Sequence, residues 1–344
     1  MTRRAWTAVP VGVVLGLTWA AGLRVWMAQL VSEGSTVGWL TLVLVLLPGA
    51  VVGGLLGWAA GRQAEVVGST AHRWSVGRVL TLAVWAHGTM VVTVLGTMAG
   101  PVSTARGAWV CLLGGSLMVV LGVASTLGLR PGMAWGDGGL PWVGAVAGLA
   151  WAGSLRGFMA EVVGDGSGVS WIGTFGWVLL PGTLAGALLG WAEVERRRGR
   201  PHRALVCSPL LLAAVLLPGL TDLGAMLKDG VGGGAVGVPL ALVAGAYAVA
   251  ARRAWVRAAC GTTFAAVLVV WVLVAPAVGG ADFALDRPHG IWASTLFLGL
   301  LLSGAVTTAI PLRGVSRPAG VGPGVGPPLV ADGRAGRARA ATRS

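Results

Sequence analysis

Two arginines sit inside long apolar stretches of this chain, Arg24 in GLTWAAGLRVWMAQLV and Arg156 in GLAWAGSLRGFMAEVV. A guanidinium carries five N–H donors in a fixed fork and keeps its charge in proteins. In hydrocarbon that charge is costly, so the group turns toward protein or water and seeks a counter-charge, a carbonyl or a ligand. Two chemistries follow. A pair of cations lining a cavity would bind a small polar or anionic ligand. Alternatively, each arginine snorkels to the headgroups or caps carbonyls of a kinked helix. The acids at similar depth are Glu161 and Asp222, with Glu33 and Asp165 at the mouths. Asp222, about six residues from its loop, is the expected partner of Arg156. His87, near Thr89 and Thr93, reads first as a helix-packing group and second as a proton relay.

No other constellation in the chain carries recognisable chemistry. GxxxxGK[ST], HExxH and GxSxG do not occur, and the glycine spacings that resemble GxGxxG lie inside apolar segments. Cys111, Cys207 and Cys260 are far apart and lack the spacing of a metal site, so they read as buried thiols. No catalytic residue, metal or cofactor is expected. A membrane enzyme acting on a lipid-linked substrate is the least favoured function, because no acid/base pair gathers at one interface.

The elements that must hold these arginines are set by composition. Of 344 residues, 55% are hydrophobic and only 11% charged, with a mean hydropathy of +0.80. Soluble domains carry about 25% charged residues, so a water-soluble enzyme and a disordered protein are both excluded. The net charge of +13 comes from short basic runs between apolar stretches. That is the pattern of membrane-protein loops, not of a nucleic-acid surface. Arginine supplies all the basic residues except Lys228, and 58 glycines accompany it. This bias points to a GC-rich bacterial source.

Ten stretches approach the ~20 apolar residues of a spanning helix: 8–31, 39–60, 79–99, 107–129, 141–163, 171–192, 205–227, 235–251, 258–278 and 291–311. With the N-terminus inside, 20 of the 25 basic residues fall on the cytoplasmic side. Three (Arg106, Lys228, Arg287) fall outside, and Arg24 and Arg156 lie within helices. Both termini are therefore expected in the cytoplasm of a bacterial plasma membrane. Trp39, Trp109, Trp171 and Trp292 are expected at the outer interface, and Trp58, Trp142, Trp191 and Trp255 at the inner one. The first segment is not expected to be a cleaved signal, since the same sequence recurs in mid-chain.

That recurrence is the strongest feature. Residues 16–39 and 148–171 agree at 13 of 24 positions at an offset of 132. One inserted residue later, LPGAVVGGLLGWA (47–59) and LPGTLAGALLGWA (180–192) agree at 9 of 13. The copies start four segments apart, so they point the same way, as parallel repeats about an axis along the membrane normal. The expected fold is an all-α polytopic helical bundle. Its divisions are a first repeat (1–130), a second (131–257), two additional helices (258–311) and a disordered basic cytoplasmic tail (312–344). Small residues every fourth position (Gly12, Gly16, Ala20, then Arg24; Gly144, Gly148, Ala152, then Arg156) predict close helix contact. So do Gly49, Gly53 and Gly57, with Gly182, Gly186 and Gly190. Pro48 and Pro181 predict mid-span kinks.

The W-x-x-x-LR-x-x-M-A segment, followed by LLPG and GxLLGWA, resembles a group of multi-pass membrane proteins of high-GC Gram-positive bacteria. The resemblance covers about the first 220 residues. It implies a membrane location and the repeat, and no activity. The leading expectation is a transporter-like or ligand-binding protein with a polar cavity near the arginine pair. The alternative is a non-transporting scaffold or partner-binding subunit with the lipid bilayer as its surroundings.

Overall fold

The computed structural model describes residues 3–31, 36–63, 104–129, 137–164, 167–200, 202–222 and 231–312. All lie in the first of the two units into which the chain divides, Met1–Arg313. Their regular structure is all helical, with no strand among the described residues. The helices are α1 (Arg3–Val31), α2 (Trp39–Thr41, then Leu42–Leu46 and Leu47–Gln63) and α3 (Ala105–Leu129). They continue with α4 (Leu140–Val163), α5 (Trp171–Leu179, then Leu180–Arg197), α6 (Val231–Ala250), α7 (Ala254–Gly279) and α8 (Pro288–Ala309). Six are long and apolar enough to cross a membrane: α1, α2, α4, α5, α7 and α8. The third expected segment, 79–99, and the tail from 313 onward lie outside the described residues.

The surface fits that solvent. Leu40 and Leu44 on α2 and Leu273 on α7 are each about two-thirds or more exposed. Withdrawing such a side chain from water is worth ~1.5–3 kcal/mol, so rows of them belong against lipid. α7 is almost uncovered by the rest of the protein, with 6% of its apolar stretch buried.

α1 and α2 form a glycine-lined hairpin. A Cβ placed on Gly12 or Gly16 would collide with the carbonyl oxygens of Gly53 and Gly49, and one on Gly49 with the methyl of Ala20. α4 and α5 make the same set of contacts. A Cβ on Gly144 or Gly148 meets the carbonyls of Gly186 and Gly182, and one on Gly182 meets Ala152. Glycine at these positions lets the two backbones touch.

The expected proline kinks take a specific form. Leu42–Leu46 and Trp171–Leu179 are π-helical, and each passes into α-helix at a Leu-Pro-Gly. A proline ring clashes with the carbonyl four residues back. For Pro48 and Pro181 those residues are Leu44 and Trp177, both inside the π segments, where the wider winding relieves the clash. The second segment carries the inserted residue and is the longer.

The seventh segment is not α-helical. Arg203–Asp222 winds as a 3-10 helix. Pro209 and Pro218 would each remove a bond from an α ladder and clash with it. At ~2.0 Å per residue, its apolar part Ala204–Leu217 is about 28 Å long.

The core lies where α1 and α4 meet. The side chain of Ser154 faces Gly22, and Val25 packs on Gly157. α3 and α8 flank this contact. The Trp19 indole donates to the Leu117 carbonyl on α3 at 3.1 Å, and the Trp151 indole to the Leu300 carbonyl on α8 at 2.9 Å. Trp26 donates to Val110 on α3, whereas Phe158 stacks on Phe297 of α8.

Candidate functional site

Each arginine closes the small-residue stripe of its helix, one turn beyond the alanine that touches the partner glycine. From there it reaches the loop that leads into the next helix. Arg24 Nη2 donates to the Thr36 carbonyl at 3.0 Å. Arg156 Nη2 donates to the Gly168 carbonyl at 2.6 Å, Nη1 to Ser167 Oγ at 3.0 Å, and Nε to Thr174 Oγ1 at 3.4 Å. Thr36 and Gly168 are each twelve residues beyond their arginine. Both side chains are buried, at 5% and 8% exposure. The forks thus satisfy neutral oxygens at the entries to α2 and α5.

The second loop is also tied locally. Ser170 Oγ accepts from the Gly173 N–H at 3.0 Å, and its own N–H donates to Thr174 Oγ1 at 3.4 Å. Gly38 donates likewise to Thr41 Oγ1 at 3.3 Å.

Polar groups from other helices converge on the same end of the bundle. Glu161 interacts electrostatically with Arg24 and lies 3.8 Å from His289 Nε2 on α8. The His289 ring packs on Phe283 and Trp292, with centroids 4.4 and 5.5 Å apart. Arg106 at the start of α3 donates to the Gln29 carbonyl at 3.0 Å. Asp222 ends the 3-10 helix, and its side chain is not among those described; His87, Glu33 and Asp165 lie outside the described residues altogether.

Of the four tryptophans expected at the outer headgroup level, two are turned into the protein. Trp109 and Trp292, expected at the headgroups, are fully buried, while Trp39 and Trp171 are exposed. The reason is packing: Trp109 and Trp292 start the two helices that flank the α1–α4 contact. Arg156 lies over the Trp109 ring, 6.0 Å from its centroid. The indole N–H groups of Trp109 and Trp292 find no acceptor among the described residues. The charge pattern gave no sign of His289, and the two indoles were legible only as interface markers. Their signal was the shared G-x-W at residues 107–109 and 290–292.

The opposite end carries an ion network. Glu193 accepts from Arg196 at 2.7 Å and Arg197 at 3.0 Å, and Arg198 reaches Asp137 before α4 at 3.2 Å. Among the described residues, no group of His, Cys, Asp and Glu could hold a metal ion.

Comparison with family models, with characterised proteins and with solved structures returns no match to this chain.

Proposed function

We propose that this chain is a non-transporting multi-pass component of a bacterial plasma membrane, a scaffold or partner-binding subunit whose arginines serve structure. One observation carries the reading: the centre of the bundle is packed. Ala21, Val25 and Ala152 are wholly buried around the contact of Val25 with Gly157. A transport path between the halves would have to cross that contact. Single cysteines at Ala21, Val25 and Ala152 should resist a membrane-impermeant thiol reagent applied from either side. Labelling of any of them in folded protein would refute a packed centre.

The topology proposed with it is ten spans with both termini inside. Six apolar helices support it, as does the clustering of Arg196, Arg197, Arg198, Arg252 and Arg253 at one end of the bundle. The bundle is further proposed to be a tandem duplication about an axis along the membrane normal. The equivalent glycine contacts of the two hairpins support this, and so do the equivalent reaches of Arg24 and Arg156. In this duplication α8, rather than the eighth segment, is the counterpart of α3. The shift of 183 residues that carries Trp109 onto Trp292 also carries Leu117 onto Leu300, the acceptors of Trp19 and Trp151. The 3-10 helix then stands in for segment 79–99, and α6 and α7 are the added pair. Kinship with the membrane proteins of high-GC Gram-positive bacteria rests on the repeated motif.

A second reading, a site for a small polar or anionic ligand, is favoured by the two buried indole N–H groups without an acceptor among the described residues, Trp109 beside Arg156 and Trp292 beside His289. It predicts an anion-dependent thermal shift lost on Trp109→Phe with folding retained.

A further inference from the structure

Beyond the arginine site, the second half of the bundle holds a cavity of about 440 Å³. It lies within the ~300–1,000 Å³ span of small-ligand pockets. Its lining is apolar, drawn from α4, α5, the 3-10 helix, α6, α7 and the Phe297 ring of α8. Buried side chains such as Phe158, Leu212 and Ala275 make its floor. Its rim is the exposed face of α7, where Val270, Val274 and Val278 stand about half uncovered.

Shape and surroundings narrow the occupant. Along α7 the lining runs from Thr263 to Val278, about 22 Å of helix. A slot that long and without charge suits an extended hydrocarbon chain. Its open side is on the helix least covered by protein, so in a bilayer the medium at the mouth is lipid. Ten residues before Thr263, about 15 Å along the chain axis, Arg252 and Arg253 stand exposed at the start of α7. Neither pairs with an acid among the described residues. Exposed Trp255 beside them marks headgroup level.

We propose that this slot is a binding site for one anionic phospholipid, with an acyl chain along α7 and its phosphate on Arg252 and Arg253. The proposal rests on the membrane reading but not on whether the centre of the bundle is packed. Arginine suits the phosphate because its fork donates two N–H groups to two oxygens.

The slot can be filled without disturbing its walls. A Cβ at Gly237 would meet only Val267, at 3.8 Å, and one at Gly234 meets nothing within 4 Å. The full chain, purified in mild detergent, is examined by native mass spectrometry with phosphatidylglycerol or phosphatidylcholine of identical chains. The wild type should retain one phosphatidylglycerol in at least several-fold preference. Gly237→Phe should lose it with an unchanged Tm. Arg252→Gln with Arg253→Gln should lose the preference while still retaining one lipid of either kind. Retention by Gly237→Phe at the wild-type level, or no lipid on the wild type, would overturn the proposal. A diazirine-tailed phosphatidylglycerol should label residues 234–240 and 263–278 above the other apolar helices. Uniform labelling, or occupation of the slot by residues 79–99 in a photo-crosslink from position 237, would also overturn it. Membrane fractionation of each variant separates these outcomes from failure of the membrane reading.

Discussion

Val25 packs directly on Gly157, the residue 132 positions further along the chain, and a Cβ at Gly157 would collide with the Val25 side chain. Three residues earlier Gly22 faces Ser154, at the same separation. Both contacts join residues 132 positions apart, one helical turn from each other, the pattern that the proposed tandem duplication about an axis along the membrane normal predicts for residues on that axis.

The valine and the glycine are complementary in size, so Gly157→Val should overpack the contact and cost about 1–3 kcal/mol. Val25→Ala should recover part of that loss in the double variant, since the two sites touch. Thermal unfolding of the four proteins in detergent measures the coupling. Additive losses would separate the two residues.

The hairpin glycines admit no side chain. Gly53→Leu and Gly186→Leu should each sharply lower the folded yield, because the added carbons meet the backbones of α1 and α4. Gly115→Leu is the control, with open space at its Cβ. Size-exclusion profiles of the three compare them. A monodisperse Gly53→Leu at wild-type yield would show that α1 and α2 do not touch there.

Arg156 donates two hydrogen bonds to its loop and a third to Thr174 in the first turn of α5, whereas Arg24 donates one. Hydrogen bonds to a charged group are worth about 1.5–3 kcal/mol. Arg156→Leu should therefore lower Tm more than Arg24→Leu, and Arg156→Lys should rescue little, lacking the fork. A ligand site predicts another pattern: Tm close to wild type without ligand, and loss of an anion-dependent shift.

Topology has its own check. On a cysteine-free background, an impermeant reagent outside the cell should label positions 33, 165 and 284 but not 65, 200 or 330. Labelling of position 200 from outside would invert the orientation.

The amino-acid sequence made the all-helical class, the glycine stripes and the burial of both arginines legible, because each follows from hydropathy and spacing four residues apart. The neutral acceptors of Arg156 were not legible: the oxygens of Ser167, Gly168 and Thr174 leave no charge pattern to read, and the expected partner Asp222 has its side chain outside those described. The tryptophans divide for a similar reason. Trp39 and Trp109 both open apolar segments, and the packing of α3 against α1 and α4 buries the second. The proposed match of α3 with α8 has little trace in the sequence, since few side chains agree between them; it rests on the backbone carbonyls that Leu117 and Leu300 present to Trp19 and Trp151. The 3-10 winding of 203–222 has no hydropathy signature at all.

The packed contact of α1 with α4 is tested most directly by one disulfide. A Cβ at Gly22 would lie 3.5 Å from the Ser154 Cβ, within the ~3.5–4.5 Å that a disulfide spans. Gly22→Cys with Ser154→Cys, in a chain whose Cys111, Cys207 and Cys260 are replaced by alanine, is oxidised in native membranes. Peptide mass spectrometry should then find the intramolecular 22–154 link in most molecules, with Tm at or above that of the reduced protein. Free thiols at both positions after oxidation, or links only between separate chains, would contradict the account.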